Sequence, residues 1–298
     1  MATITATYAL NMNNLNLNDI MSSYYSFYNN VYRKYGNVTY EDVAVFSYGS
    51  GYADVFGGRG LTYNAYGVTG GTITGYLGMS GVTPLFAVQN FSYSALSMWN
   101  AAKTIGTSDD FAIFASILGG ADTFILSNGA DVARAYAGND VMYGRGGNDV
   151  LLGDAGNDQI FGESGNDTLY GGIGADRLSG GIGIDTLVGG SGADSFIFAT
   201  APNATTNRDI ITDFYRVDDS MLLENAIFTK LGAAGTMSSA FFTSNTAGVA
   251  RDANDYIVYE SDTGKLFYDA DGSGRGAPVL IATLSNKAII TYADFIVI

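Results

Sequence analysis

Gly171-Gly172-Ile173-Gly174-Ala175-Asp176-Arg177-Leu178-Ser179 runs directly into Gly180-Gly181-Ile182-Gly183-Ile184-Asp185-Thr186-Leu187-Val188. The two words share glycine at places one, two and four, aspartate at six and leucine at eight. Read outward, the phase holds over nine copies. Aspartate recurs at Asp122, Asp131, Asp140, Asp149, Asp158, Asp167, Asp176, Asp185 and Asp194. A glycine stands two residues before each, and a large apolar residue two residues after: Phe124, Met142, Leu151, Ile160, Leu169, Leu178, Leu187 and Phe196, with Ala133 breaking the column. The six copies from Gly144 to Ile197 open on glycine, whereas the three upstream copies open on Ile117, Leu126 and Ala135.

A nine-residue period with one inward apolar residue has a direct structural reading. The glycine-rich part turns through conformations that a Cβ forbids, and the remaining three residues make a minimal strand. Two nonads complete one turn of a flattened roll, so residues eighteen apart stack at the strand spacing of about 4.8 Å. The apolar column becomes a continuous core, and the aspartates line the two outer edges. Bare carboxylates could not be stacked so. Two unit charges about 4.8 Å apart repel by roughly 3.5 kcal/mol at an effective dielectric of 20, and several such terms exceed the stability of a domain. Ca²⁺, which takes six to eight hard oxygen ligands, turns that repulsion into bridging; Mg²⁺, with its tight octahedron and tenacious water, fits poorly. The expected fold is mainly β: a parallel β-roll solenoid over residues 117–197, an α+β region before it (1–116) and a β-rich region after it (198–298).

The pattern G-G-x-G-x-D-x-U-x resembles the calcium-binding nonapeptide of RTX proteins. That resemblance implies a ligand set: the aspartates of two nonads eighteen apart, carbonyls from places two and four of the first nonad, and carbonyls from places one and three of the second. One site then uses Asp158 and Asp176 with the carbonyls of Asp154, Gly156, Gly171 and Ile173. The neighbouring pairs are Asp140/Asp158, Asp149/Asp167, Asp167/Asp185 and Asp176/Asp194. Their loop oxygens come from Gly138, Gly147, Gly153, Ala155, Gly162, Ser164, Gly165, Gly172, Gly174, Gly180, Ile182, Gly189 and Ser191. Asp122/Asp140 and Asp131/Asp149 are weaker pairs, because the first glycine is missing there. The implied load is about five to seven Ca²⁺.

Residues 189–298 resemble the C-terminal domain of serralysin-type metalloproteases. The likeness rests on Gly192-Ala193-Asp194-Ser195-Phe196-Ile197-Phe198, Ile211-Thr212-Asp213-Phe214, Tyr268-Asp269-Ala270-Asp271-Gly272 and Asp294-Phe295-Ile296-Val297-Ile298. In that family an aspartate such as Asp213 completes the last site. An acidic residue before a terminal apolar run looks like the signal read by a type I ABC exporter, which implies a secreted, extracellular protein. Asp269 to Gly274 begins like an EF-hand loop, but Leu280 stands where the bidentate Glu belongs; a tight turn is expected.

Composition narrows the function classes. Of 298 residues, 14 are basic and 29 acidic, and 25 of the acids are Asp against 4 Glu, a skew toward short carboxylates held near backbone. No basic patch offers itself to nucleic acid. With 0 Cys and 0 His, thiolate sites, most zinc chemistry, His-dependent triads and an H-E-x-x-H protease are excluded. The first positive charge is Arg33, so no Sec-type n-region is expected. The longest apolar run, Phe111 to Ala121, is about half the length of a membrane span.

Upstream of the roll, Ile20, Tyr24, Phe27, Tyr28 and Val31 are spaced as a helical stripe over residues 15–35, capped by Asn18 or Asp19 and stopped by Gly36. Short β runs are expected at Val43–Phe46, Leu61–Tyr63 and Gly71–Tyr76, and helical character over residues 91–118. Gly60 to Ile73 is similar to segments preceding the repeats in other proteobacterial RTX proteins, implying an extension of the roll. Tyrosines crowd residues 1–116, as at the rim of a small core or a face for a surface glycan or protein. No serine-hydrolase elbow is present. Asp42 and Asp54 are the carboxylates a carbohydrate-active enzyme could use, but nothing sets them apart from turn acids. The expectation is a calcium-binding, non-enzymatic protein.

Overall fold

The computed structural model describes residues 115–298 together with the backbones of eight strands between residues 3 and 94. Those strands are β1 (Thr3–Ala6), β2 (Tyr24–Tyr28), β3 (Arg33–Tyr35), β4 (Val38–Tyr40), β5 (Asp42–Ser47), β6 (Tyr52–Asn64), β7 (Gly67–Ser80) and β8 (Thr83–Ser94). The roll follows as β9 (Thr123–Ile125), β10 (Val132–Arg134), β11 (Val141–Tyr143), β12 (Val150–Ala155), β13 (Gln159–Ser164), β14 (Thr168–Ile173), β15 (Arg177–Ile182), β16 (Thr186–Ser191) and β17 (Ser195–Phe198). The odd-numbered strands of this run join one parallel sheet and the even-numbered strands the other.

The register is the eighteen-residue offset read from the repeat. Met142 pairs with Ile160, Ile160 with Leu178 and Leu178 with Phe196 in one sheet. In the other, Ala133 pairs with Leu151, Leu151 with Leu169 and Leu169 with Leu187. All nine residues of the apolar column are 0% exposed, from Phe124 to Phe196. Fully burying one such side chain is worth about 1.5–3 kcal/mol, so this column is the principal apolar contribution to the roll.

The same two sheets continue past the last nonad. The following strands are β18 (Asp209–Ile211), β19 (Ser220–Leu223), β20 (Gly235–Thr236), β21 (Phe242–Asn245), β22 (Ile257–Glu260), β23 (Lys265–Tyr268), β24 (Val279–Leu284) and β25 (Phe295–Val297). Strands β17, β19 and β25 stay parallel in one sheet, and β16, β18 and β24 in the other. Only then does pairing turn antiparallel, through β24–β23 and β23–β22. On the upstream side β1 lies parallel on β9, with Ile4 opposite Phe124.

Three upstream expectations change. The helix over 15–35 is not formed where it is described: β2 and β3 occupy Tyr24–Tyr28 and Arg33–Tyr35 of it, and β2 pairs antiparallel with β5. Its run Tyr-Tyr-Ser-Phe-Tyr is rich in aromatics, which suit a pleated surface as readily as a helical stripe, and a neighbouring strand decides the matter. Helical character over 91–118 also fails at its start, since residues 91–94 belong to β8, while residues 115–117 do make a helical turn. The Asn18/Asp19 cap, the Gly36 stop and the helical reading of residues 95–114 lie outside the described residues, as do the tyrosine side chains of residues 1–94. Finally, Gly60 to Ile73 does extend the roll's sheet, but in antiparallel fashion. β6, β7 and β8 form a long-stranded meander instead of two-nonad turns. The β runs at Val43–Phe46, Leu61–Tyr63 and Gly71–Tyr76 fall in β5, β6 and β7.

Candidate metal centre

Each nonad folds around a backbone that approaches its neighbour too closely for a side chain. At Gly156, φ is +142° and an added Cβ would sit 1.5 Å from the carbonyl oxygen of Gly138. Place two also needs a left-handed backbone. Gly172 takes φ +114° there, while Tyr136, Arg145, Asp154 and Glu163 accept φ values of 69–73° at the same place in other copies.

Place one is different, because its residue faces inward. A Cβ added to Gly153 would lie 2.3 Å from Oδ2 of Asp158 and 2.6 Å from the carbonyl oxygen of Gly171. The same convergence of a carboxylate oxygen and a next-turn carbonyl occurs at Gly144, Gly162 and Gly171, with Asp149, Asp167 and Asp176 respectively. At Gly180 and Gly189 the point lies 2.2 Å and 2.5 Å from Oδ2 of Asp185 and Asp194. Glycine at place one therefore leaves an inward gap, and the aspartate five residues on turns its carboxylate into it.

The two oxygens of each carboxylate have different fates. Oδ1 accepts the backbone N–H of the aspartate one turn earlier: Asp140 from Asp122, Asp149 from Asp131, Asp158 from Asp140, Asp167 from Asp149, Asp176 from Asp158, Asp185 from Asp167 and Asp194 from Asp176, at 2.6–2.9 Å. Oδ2 of Asp140, Asp149, Asp158, Asp167, Asp176, Asp185 and Asp194 is buried and accepts no hydrogen bond. Their residues are 0–1% exposed. An uncompensated buried charge costs about 3–5 kcal/mol, so a few of these would cancel the whole stability of a domain, about 5–15 kcal/mol.

Protonation is one escape from that cost. Burial pushes the carboxyls of Asp140, Asp149 and Asp176 up to about 7 and those of Asp167 and Asp194 up to about 6, against the downward pull of the amide each accepts. Burial raises Asp158 and Asp185 as well. A hard cation is the other escape, and the donors suit one: paired carboxylate oxygens with main-chain carbonyls close by. Among the described residues no group of three or more Asp, Glu, His or Cys gathers around one point. The rest of a coordination shell would therefore come from the backbone, as calcium accepts and zinc does not. The residues present fit Ca²⁺. Both features, the orphaned Oδ2 and the place-one gap, coincide in six nonads, those of Asp149, Asp158, Asp167, Asp176, Asp185 and Asp194.

Other contributors lie past the strict nine-residue column. Asp209 accepts the N–H of Asp185 at 3.3 Å, and Asp219 that of Asp194 at 3.0 Å. The aspartate ladder thus runs past the nonads at offsets of 24 and 25 residues. Burial and the neighbouring Asp185 hold the Asp209 carboxyl well above its ordinary range. A strict nine-residue search steps over both. Asp213 lies at the loop of the Asp194 nonad, its oxygens accepting from Gly189 N at 3.0 Å and Gly190 N at 2.9 Å, and its charge adds to burial in raising the Asp194 carboxyl. A second ladder runs through place five. Oδ1 of Asn139, Asn148, Asn157 and Asn166 accepts the N–H one turn later, from Asn157, Asn166, Ala175 and Ile184. The recurrent Asn at place five was the available signal.

Outside the roll, Asp269 to Gly274 is a turn, as expected, with Asp271 N donating to Asp269 Oδ1 at 3.3 Å and Gly276 N to Asp271 Oδ2 at 2.9 Å. Asp42 and Asp54 lie on adjacent strands, where Asp42 pairs with Gly58 and Phe46 with Asp54.

Comparison with known proteins agrees with this geometry. Residues 118–151, 143–178, 152–187 and 170–198 each match the RTX calcium-binding nonapeptide repeat. The roll is thus built of RTX calcium-binding repeats. No curated protein matches the chain. Among solved structures, the AlgE6R3 subunit of the Azotobacter vinelandii mannuronan C5-epimerase gives a loose superposition, with TM-score 0.23 and 20% identity over 59% of this chain and 77% of that one.

Proposed function

We propose that this chain is a secreted calcium-binding protein that stays unfolded through its roll until it leaves the cell by a type I ABC exporter. Outside, it folds on Ca²⁺ and serves a structural or adhesive role at the cell surface, with a glycan or protein as partner and without catalysis. The observation that carries the reading is the set of buried Oδ2 atoms with no hydrogen-bond donor, repeated at the eighteen-residue offset. Calcium supplies the positive charge and the oxygen-hungry shell those atoms call for. The six nonads that combine the orphaned oxygen with the place-one gap put the load at about six ions, with Asp209 and Asp219 serving as the last partners of Asp185 and Asp194.

The sites come into being only when the chain is rolled, so the free energy of binding is free energy of folding. Extracellular calcium modules bind at about 10⁻⁴–10⁻³ M, which leaves the roll open in a calcium-poor cytosol and closed outside. No helix among the described residues is long and apolar enough to cross a membrane. The test is circular dichroism of the full chain: a chelator should remove the share of the β signal that comes from residues 117–197 and millimolar Ca²⁺ should restore it, with Mg²⁺ failing to do so. A chelated chain that keeps its full β signal at neutral pH sinks the proposal. A glycan array on the calcium-loaded chain, beside a turnover assay on polysaccharides, tests the surface role; turnover would replace it with an enzymatic one.

A further inference from the structure

The second nonad, residues 126–134, breaks the pattern of its successors in a consistent way. Its place-one residue is Leu126, turned inward and 0% exposed, so the gap that receives a carboxylate elsewhere is filled by an apolar side chain. Its aspartate, Asp131, keeps the ladder bond, donating its N–H to Oδ1 of Asp149 at 2.8 Å. Its Oδ2, however, accepts the N–H of Ser127 at 2.9 Å and the hydroxyl of Ser127 at 2.9 Å. The same hydroxyl oxygen accepts the N–H of Gly129 at 3.0 Å. Ser127 and Asp131 are 3% and 0% exposed. A loop that other nonads leave open around an unsatisfied oxygen is here closed upon itself. At the far end of the opposite ladder, the one that runs through Asp194, Tyr215 N donates to Oδ2 of Asp219 at 2.7 Å across the same four-residue span.

We infer that Ser127 stands in for a cation: the Asp131/Asp149 step is a cation-free rung closed by the Ser127 N–H and hydroxyl, and the ion column on that edge begins at Asp149. The inference rests on the calcium reading of the roll. A cation at Asp131 would have to break both bonds to Ser127 and move Leu126 out of the core, whereas at Asp149 and beyond it meets an oxygen with nothing to give up. The chain thereby holds one step of the roll whose closure does not wait for calcium, on which the cation-dependent turns can stack.

The test is the number of calcium ions bound per full-length chain, by equilibrium dialysis with elemental analysis. Asp131→Asn should leave the count of the wild type unchanged, while Asp167→Asn should lower it. Leu126→Gly combined with Ser127→Gly, which restores the glycines at places one and two, should raise the count by one ion. A lower count in Asp131→Asn overturns the inference, as does an unchanged count in a folded double variant. Because opening the Leu126 position can weaken the core, the Asp131→Asn arm decides by itself if the double variant does not fold. A wild type that binds no calcium overturns the inference together with the reading it rests on.

Discussion

The roll and the strands that follow it share two sheets but treat buried carboxylates in opposite ways. From Asp140 to Asp194 every aspartate of the column keeps one oxygen without a donor. Beyond the nonads, no fully buried aspartate oxygen among the described residues lacks a partner. Asp219 accepts from Asp194 and Tyr215, Asp255 from Arg251 at 2.7 Å and Asp252 at 3.2 Å, and Asp294 from the N–H and hydroxyl of Thr291. The second region carries its counter-interactions in its own chain; the first lacks them and borrows them from solution. One continuous sheet can therefore contain a part whose stability follows the ionic medium and a part whose stability does not.

Replacing one aspartate in each region is the strongest test of that contrast. Asp167→Asn should cost about 3 kcal/mol or more, read as a rise of about two- to threefold in the calcium needed for half-maximal β signal when about six ions bind together. Asp255→Asn should lower the unfolding free energy measured in denaturant by about 1–3 kcal/mol and leave the calcium midpoint where it was. Equal calcium shifts in the two variants would erase the distinction.

Glycine replacements sharpen it further. Gly162→Ala puts a Cβ 2.3 Å from Oδ2 of Asp167, so calorimetry should show one ion fewer. Gly232→Ala, at φ +85° with nothing within 4 Å, should cost only about 1–2 kcal/mol of backbone strain with the ion count unchanged.

Acidity should move the two forms of the roll in opposite directions. Without metal, the folded carboxyls at about 6–7 lie above the unfolded value, near 3.9. The folded state then binds more protons between those limits, so stability is greatest below about pH 4 and falls as pH rises through about 7. In chelator, β signal should grow on going from pH 7.5 to pH 5; in calcium it should shrink, as protons displace the ion. A chelated roll that loses order on acidification would contradict the buried, unpartnered oxygens. The smallest effect belongs to the second ladder: Asn157→Ala leaves Ala175 N without its acceptor, and should cost about 0.5–1.5 kcal/mol in the thermal midpoint without changing the number of ions.

Much of this was legible in the residue order because a solenoid writes its geometry as a period. The aspartate and apolar columns gave register, sheet membership and core together, and Leu126 in place of glycine already marked an altered step. What was not legible obeys other rules. Asp209 and Asp219 join the ladder across longer loops, so spacing no longer identifies them. The Ser127 closure depends on a loop conformation that no period encodes. Tyr24 to Tyr28 fits a helix and a strand equally well by pattern, and its fate was set by the antiparallel partner β5, a contact between segments that the local sequence does not carry.

The eighteen-residue register also says which lengths of the gene could be copied or lost. Removing two consecutive nonads deletes one whole storey and returns every later strand to the sheet it came from, with both ladders rejoined. Removing a single nonad would send each following strand to the opposite sheet, so that the segment now meeting β19 in register, through Phe196 and Met221, would face the partner meant for its neighbour. Growth and shrinkage of such a protein through duplication should therefore proceed in pairs of repeats.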